Sequence, residues 1–204
     1  MYLPDVYNNC DKEKIDSFIN ANNFGDLVTF RDGKLSSNKC PFLYDNVNNR
    51  LYGHFGNSNA QLVDIEDSPE VLVILTGPHC YISPQWYQSE GMVPTWNFQT
   101  IQVRGKAKIV AADVLVEILE SLSKLHESNL SPQWSMKELE SGRLTLLQKM
   151  ITGFQIDITE ILFKEKMSQN RKHADQQNVI NSLLEQGDPS QLDVANLMRA
   201  NLDI

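Results

Sequence analysis

The spacing of apolar positions changes several times along this chain. From Asp11 to Ala21 the residues Ile15, Phe18 and Ile19 fall at i, i+3 and i+4, one face of a helix, with Asp11 in position to cap it. From Phe24 the period shortens to two. Phe24 to Phe30 predicts a strand, Arg31-Asp32-Gly33-Lys34 a tight hairpin, and Leu35 to Tyr44 a second strand made irregular by Pro41. Residues 45–49 are turn chemistry, and Arg50 to Phe55 reads as a third strand. Ser58 followed three residues later by Gln61 is a capping box that opens a short helix. The unbroken apolar run Val71 to Leu75 predicts a strand buried on both faces. Thr95 to Val110 then alternates, with Ile101, Val103, Gly105, Ala107 and Ile109 on one face and Gln102, Arg104, Lys106 and Lys108 on the other. Ala112 to His126 returns to a helical stripe, and a second capping box at Ser135 and Glu138 opens a helix running to about Met150. Gly153 to Phe163 is the last strand, and Asp175 to Glu185 and Leu192 to Leu202 are two closing helices.

The order is a meander of six strands broken by single helices. It predicts a mainly β fold with peripheral helices (α+β), a six-stranded antiparallel barrel, closed or split, that carries its helices outside. The domain expectation is a barrel over residues 1–171 and a C-terminal helical extension over 172–204 packed on it.

Composition narrows the function classes. A 41% hydrophobic content supports a real core, and there is no run of 18 apolar residues to cross a membrane. The N-terminus has no basic segment leading into an apolar one, and three widely spaced cysteines fit a reducing cytoplasm. With a net charge of −8, nucleic acid would need a local basic patch; Lys164, Lys166, Arg171, Lys172 and His173 are the candidate, although such clusters more often form a solvated face. DNA binding is thus unsupported by overall charge or by a reading motif.

No catalytic constellation stands out. The four histidines are isolated, no cysteine pair has metal spacing, and there is no phosphate loop or nucleophile elbow. The parts that remain suit a flat, anionic cofactor: the turn and helix start at Ser58–Gln61, the polar residues Ser37, Asn38 and Lys39 on the second strand, and the aromatic rings of Trp86 and Trp96. Flavin mononucleotide (FMN), an apolar ring system bearing one phosphate, has that shape. The stretch Gly77 to Phe98, which holds two of the three tryptophans, reads equally as a pocket rim or as an aromatic connection that only packs.

Several blocks of the chain resemble the PaiB family, described as FMN-binding negative transcriptional regulators. They are Gly53-His-Phe-Gly-Asn-Ser-Asn-Ala-Gln61, Gly77-Pro-His-Cys-Tyr-Ile-Ser-Pro-Gln-Trp-Tyr87, Val93-Pro-Thr-Trp-Asn-Phe98, Gly153-Phe-Gln-Ile-Asp-Ile-Thr159 and Lys166-Met-Ser-Gln-Asn-Arg171. The resemblance covers nearly the whole chain in the family's order. It implies a flavin-binding split barrel of the FMN-binding type, a homodimer with FMN at the subunit interface. Ser37, Asn38, Lys39, His54, Ser58, Asn59 and Gln61 would then hold the phosphate and ribityl end, and Trp96, Asn97, Ser168, Gln169 and Arg171 would reach the site from the other subunit. One departure is Asn38-Lys39, where the family commonly has Thr-His; a lysine meets a phosphate as a mobile point charge. Two alternatives stay open: a flavin-dependent oxidoreductase using the same pocket, and a cofactor-free interaction module.

Overall fold

A computed structural model describes residues 1–202, apart from the side chains of Ser141 and Leu144. Its strands are β1 (Phe24–Arg31), β2 (Lys34–Pro41), β3 (Leu43–Asp45), β4 (Arg50–Gly56), β5 (Glu70–Ile82), β6 (Thr95–Ile109) and β7 (Ile151–Lys166). They form one sheet in the order β2-β1-β5-β6-β7-β4-β3. The helices are α1 (Lys12–Ala21), α2 (Gln61–Asp67), α3 (Ala112–Glu127), α4 (Ser141–Gln148), α5 (His173–Gln186) and α6 (Pro189–Asn201). Among the described residues, no helix is long and apolar enough to cross a membrane. The chain divides into two compact units.

The first unit comprises Ile19–Leu75 and Gln102–Ile161. Its hairpin turns through Asp32 and Gly33, at φ of +51° and +77°, the pair of left-handed residues a two-residue loop requires. That turn sets the antiparallel register Arg31↔Lys34, Thr29↔Ser36, Leu27↔Asn38 and Asp26↔Lys39. The sheet has seven strands, where the sequence pattern predicted six, because the expected strand from Leu35 to Tyr44 is two strands. Pro41 has no N–H to continue the ladder, Phe42 turns inward to full burial, and its N–H donates to the Asn23 carbonyl at 2.7 Å. The chain then pairs β3 with β4, Leu43↔Tyr52 to Asp45↔Arg50. Since β2 and β3 end the strand order yet lie one residue apart, the sheet curls back on itself as in a barrel. Leu27, Phe42, Leu51, Val73, Leu75, Val103, Phe154 and Ile156 are fully buried in this unit. Gly53 is needed where β4 meets β7: a Cβ there would lie 2.6 Å from the Phe154 ring and 2.9 Å from Cys40 Sγ.

The second unit comprises Met1–Phe18, Thr76–Ile101 and the chain from Leu162. β5 runs on through Gly77-Pro-His-Cys-Tyr-Ile82, so the first six residues of the stretch expected as a connection are strand. Its core joins Ile82 and Met167 to Val179, Ile180 and Leu183 of α5 and Val194, Ala195 and Met198 of α6, all fully buried. Gly187, at φ +71°, ends α5, and Asp188 starts α6 by accepting from the Ser190 and Gln191 N–H groups.

Two further corrections concern helix starts. Ser135 and Glu138 do form the reciprocal capping box, but it opens a single 3₁₀ turn, Met136–Glu138, and α4 begins separately at Ser141. The Ser58 and Gln61 box is absent: Ala60 is the N-cap of α2 and no side chain caps it, because Gln61 is drawn into the interior.

Candidate functional site

The residues expected to hold a ligand fall into two groups, one in each unit. In the first, Ser37, Asn38 and Lys39 are consecutive exposed residues of β2. Asn38 Nδ2 donates to Gln61 Oε1 at 2.9 Å, which ties this strip to the turn that starts α2. Gln61 Nε2 donates to the carbonyls of Leu27 and Ser36, at 2.9 and 3.2 Å, and to Thr29 Oγ1 at 3.1 Å. Thr29 in turn donates to Asp64 Oδ2 at 2.7 Å, and Arg31 Nε lies 3.6 Å from Asp64. Gln61 therefore has its amide committed inside the unit and acts as a brace for the strip. Asn59 Oδ1 accepts the Gln61 N–H at 3.0 Å, while Ser58 stays exposed on the same turn.

Lys39 Nζ forms an exposed ion pair with Asp26 at 2.8 Å. Sequence reading missed Asp26, although the hairpin register alone places it across from Lys39. His54 lies on β4, and its backbone carbonyl accepts a long 3.7 Å contact from Cys40 Sγ. Burial holds the His54 imidazole below its usual pKa, and its buried Nδ1 has no hydrogen-bond partner among the described residues. The exposed polar side chains of β2, held against the start of α2 by the Asn38–Gln61 bond, fit an anionic, hydroxyl-bearing group.

The second group lies on β6 and the end of β7. Trp96 presents its ring to solvent at 53% exposure, edge-on to Tyr81 with centroids 6.1 Å apart. Its neighbour Asn97 points the other way and is fully buried: Ser168 Oγ donates to Asn97 Oδ1 at 3.1 Å, and Asn97 Nδ2 contacts Met198 Sδ of α6 at 3.3 Å. Ser168 itself is buried at φ +65°. Gln169 Nε2 donates to the Glu165 carbonyl, and its Oε1 accepts the Met167 N–H, both at 2.6 Å. Asn97, Ser168 and Gln169 thus spend their polar groups on a buried network that also joins Gln99, Glu165 and Asn201. Arg171 is half-buried, 5.8 Å over the Tyr87 ring, with no carboxylate paired to it among the described residues. Trp86, expected as a wall, packs against the α5–α6 core.

Comparison with known proteins adds three findings. Residues 1–160 match the family model described as "Putative FMN-binding domain". Over 204 residues the chain is 34% identical to "Protease synthase and sporulation protein PAI 2" of Bacillus subtilis, covering 99% of this chain and 98% of that one. Solved structures of similar fold include the FAD and heme binding protein of Mycobacterium smegmatis (TM-score 0.62, 12% identity, 78% of this chain and 73% of that one) and the conserved hypothetical protein Rv2991 of Mycobacterium tuberculosis (TM-score 0.61, 12% identity, 85% and 95%). At such identities these two speak for the fold alone.

Proposed function

The chain belongs to the FMN-binding family that includes PAI 2, and from that premise we propose that it is a flavin-responsive regulatory protein that represses transcription, acting as a cytoplasmic homodimer. In this reading residues 1–171 are the flavin domain and 172–204 its helical extension. Ser37, Asn38, Lys39, His54, Ser58 and Asn59 hold the phosphate and ribityl end, with Gln61 bracing them. Trp96 and Arg171 of a second copy face the ring, and Asn97, Ser168 and Gln169 fix the strand ends that carry them. The observation that carries the reading is the Asn38–Gln61 hydrogen bond, which joins two motifs 23 residues apart into one donor-lined strip. When bound, the flavin would supply electron-accepting chemistry; the chain's own groups bind and orient it.

The test is direct. Purified protein titrated with FMN is expected to quench flavin fluorescence with a stoichiometry of one per chain, and absence of quenching removes the reading. Steady oxidation of NADH or NADPH by the loaded protein would replace regulation by an oxidoreductase activity. Gel-shift retention that is weak, sequence-independent and lost at moderate salt would count against direct repression.

A further inference from the structure

The face of β7 opposite the buried Glu165 is used by none of the assignments above. Strand alternation buries Phe163, Glu165 and Met167 and turns Lys164 and Lys166 to the other side. Lys164 Nζ donates to the Tyr2 carbonyl at 2.9 Å and lies 5.3 and 5.6 Å from the rings of Tyr2 and Phe98. Lys166 Nζ donates to Thr95 Oγ1 and the Trp96 carbonyl, each at 2.5 Å. Two ammonium groups two residues apart on a strand are thus anchored side by side, with carbonyls, a hydroxyl and aromatic rings around them. Neither pairs with a carboxylate among the described residues, whereas Lys12, Arg31, Lys39, Arg50, Arg104, Lys106 and Lys108 all do.

We propose that Lys164 and Lys166, with Arg171 adjoining, form a seat for a compact phosphate-bearing anion. Fixed like charges without a counter-charge are costly, and a multiply charged anion offsets that cost. Burial first, then the nearby Arg171 and Lys164 charges, holds the Lys166 ammonium below the usual lysine range. Arg171 lies 5.8 Å over the Tyr87 ring and pairs with no carboxylate among the described residues. A net charge of −8 works against a long polyanion and leaves a small phosphate or diphosphate group as the matching ligand. Arg171 also figures in the flavin reading, so the test varies the lysines alone.

Inorganic pyrophosphate is titrated calorimetrically into the full chain and into a Lys164→Gln/Lys166→Gln variant, with FMN binding followed in parallel. Pyrophosphate should bind the wild type and bind the double variant at least about tenfold more weakly, while FMN affinity is unchanged. Lys166→Arg, which keeps the charge, should retain pyrophosphate binding and covers the case of a misfolded double variant. No pyrophosphate binding to the wild type, or equal binding to the double variant, overturns the seat. If pyrophosphate competes with FMN but not with riboflavin, and the double variant loses FMN in step, the lysines belong to the flavin phosphate and the separate seat is overturned. Retention of a single-stranded oligonucleotide that pyrophosphate cannot displace would replace the compact anion by nucleic acid.

Discussion

Lys39 meets Asp26 because the hairpin register leaves no other residue across from it. In the flavin reading this pair competes with the ligand's phosphate. Asp26→Asn should therefore tighten FMN binding about two- to fivefold, a modest effect for an exposed pair, and Lys39→Ala should weaken it, both read by fluorescence titration. Unchanged affinity in both variants would remove Lys39 from the site. The cysteines give a second test. Burial pushes the Cys40 thiol up to about 12 and the Cys80 thiol up to about 11, while Cys10 is exposed. Iodoacetamide under native conditions should label Cys10 alone, with the other two reacting only after unfolding, as mass spectrometry would show.

The element scale is governed by how closely strands and helix ends approach. Phe154 of β7 is fully buried, 5.2 Å from the Phe55 ring, and rests on the bare backbone of Gly53 in β4. Phe154→Ala should cost about 3–5 kcal/mol in denaturant unfolding, and Gly53→Ala should also destabilise, because the added methyl meets packed ring and sulfur atoms. At the start of α5, Asp175 accepts from the Ser89 N–H at 2.9 Å, the Ser89 hydroxyl at 2.7 Å and the Gln88 N–H at 2.9 Å. The Ser89 backbone and hydroxyl bonds come first in holding its carboxyl below the usual range. A depressed carboxylate stabilises the fold above its unfolded pKa of about 4 and loses that contribution as pH falls through the folded value. Asp175→Asn should thus lower the melting temperature by a few degrees at pH 7, with the gap from wild type closing below pH of about 4. A gap that stays constant across that range would contradict the assignment.

For the molecule as a whole, α6 matters more than its place at the end of the chain suggests. Val194, Ala195 and Met198 are fully buried, and Met198 and Asn201 contact Asn97 and Glu165. A chain ending at Gly187 would expose the inner face of α5 and leave part of the polar network of β6 and β7 without partners. Faster amide exchange and protease cleavage in α5 are the expected result, and unaltered protection would show that α6 is dispensable.

The periodicities of the sequence determined much of this fold by themselves. Alternation marked β6 and β7, whereas β5, expected from its apolar run to be buried on both faces, buries alternate residues; Asp32-Gly33 fixed a hairpin and with it a register, and Gly187-Asp-Pro-Ser190 separated the last two helices. Local physics is enough there, because turn chemistry and side-chain period act over a few residues. The capping box at Ser135 formed and the one at Ser58 did not, since the same short pattern is overridden when a Gln finds better partners in a neighbouring hairpin. Likewise the sequence picked out residues 37–39 and 54–61 as motifs, but only tertiary structure joined Asn38 to Gln61, paired Lys39 with Asp26 and turned Asn97 inward beside an outward Trp96. Which polar groups remain available to a ligand depends on partners distant in sequence, and only the folded chain decides those.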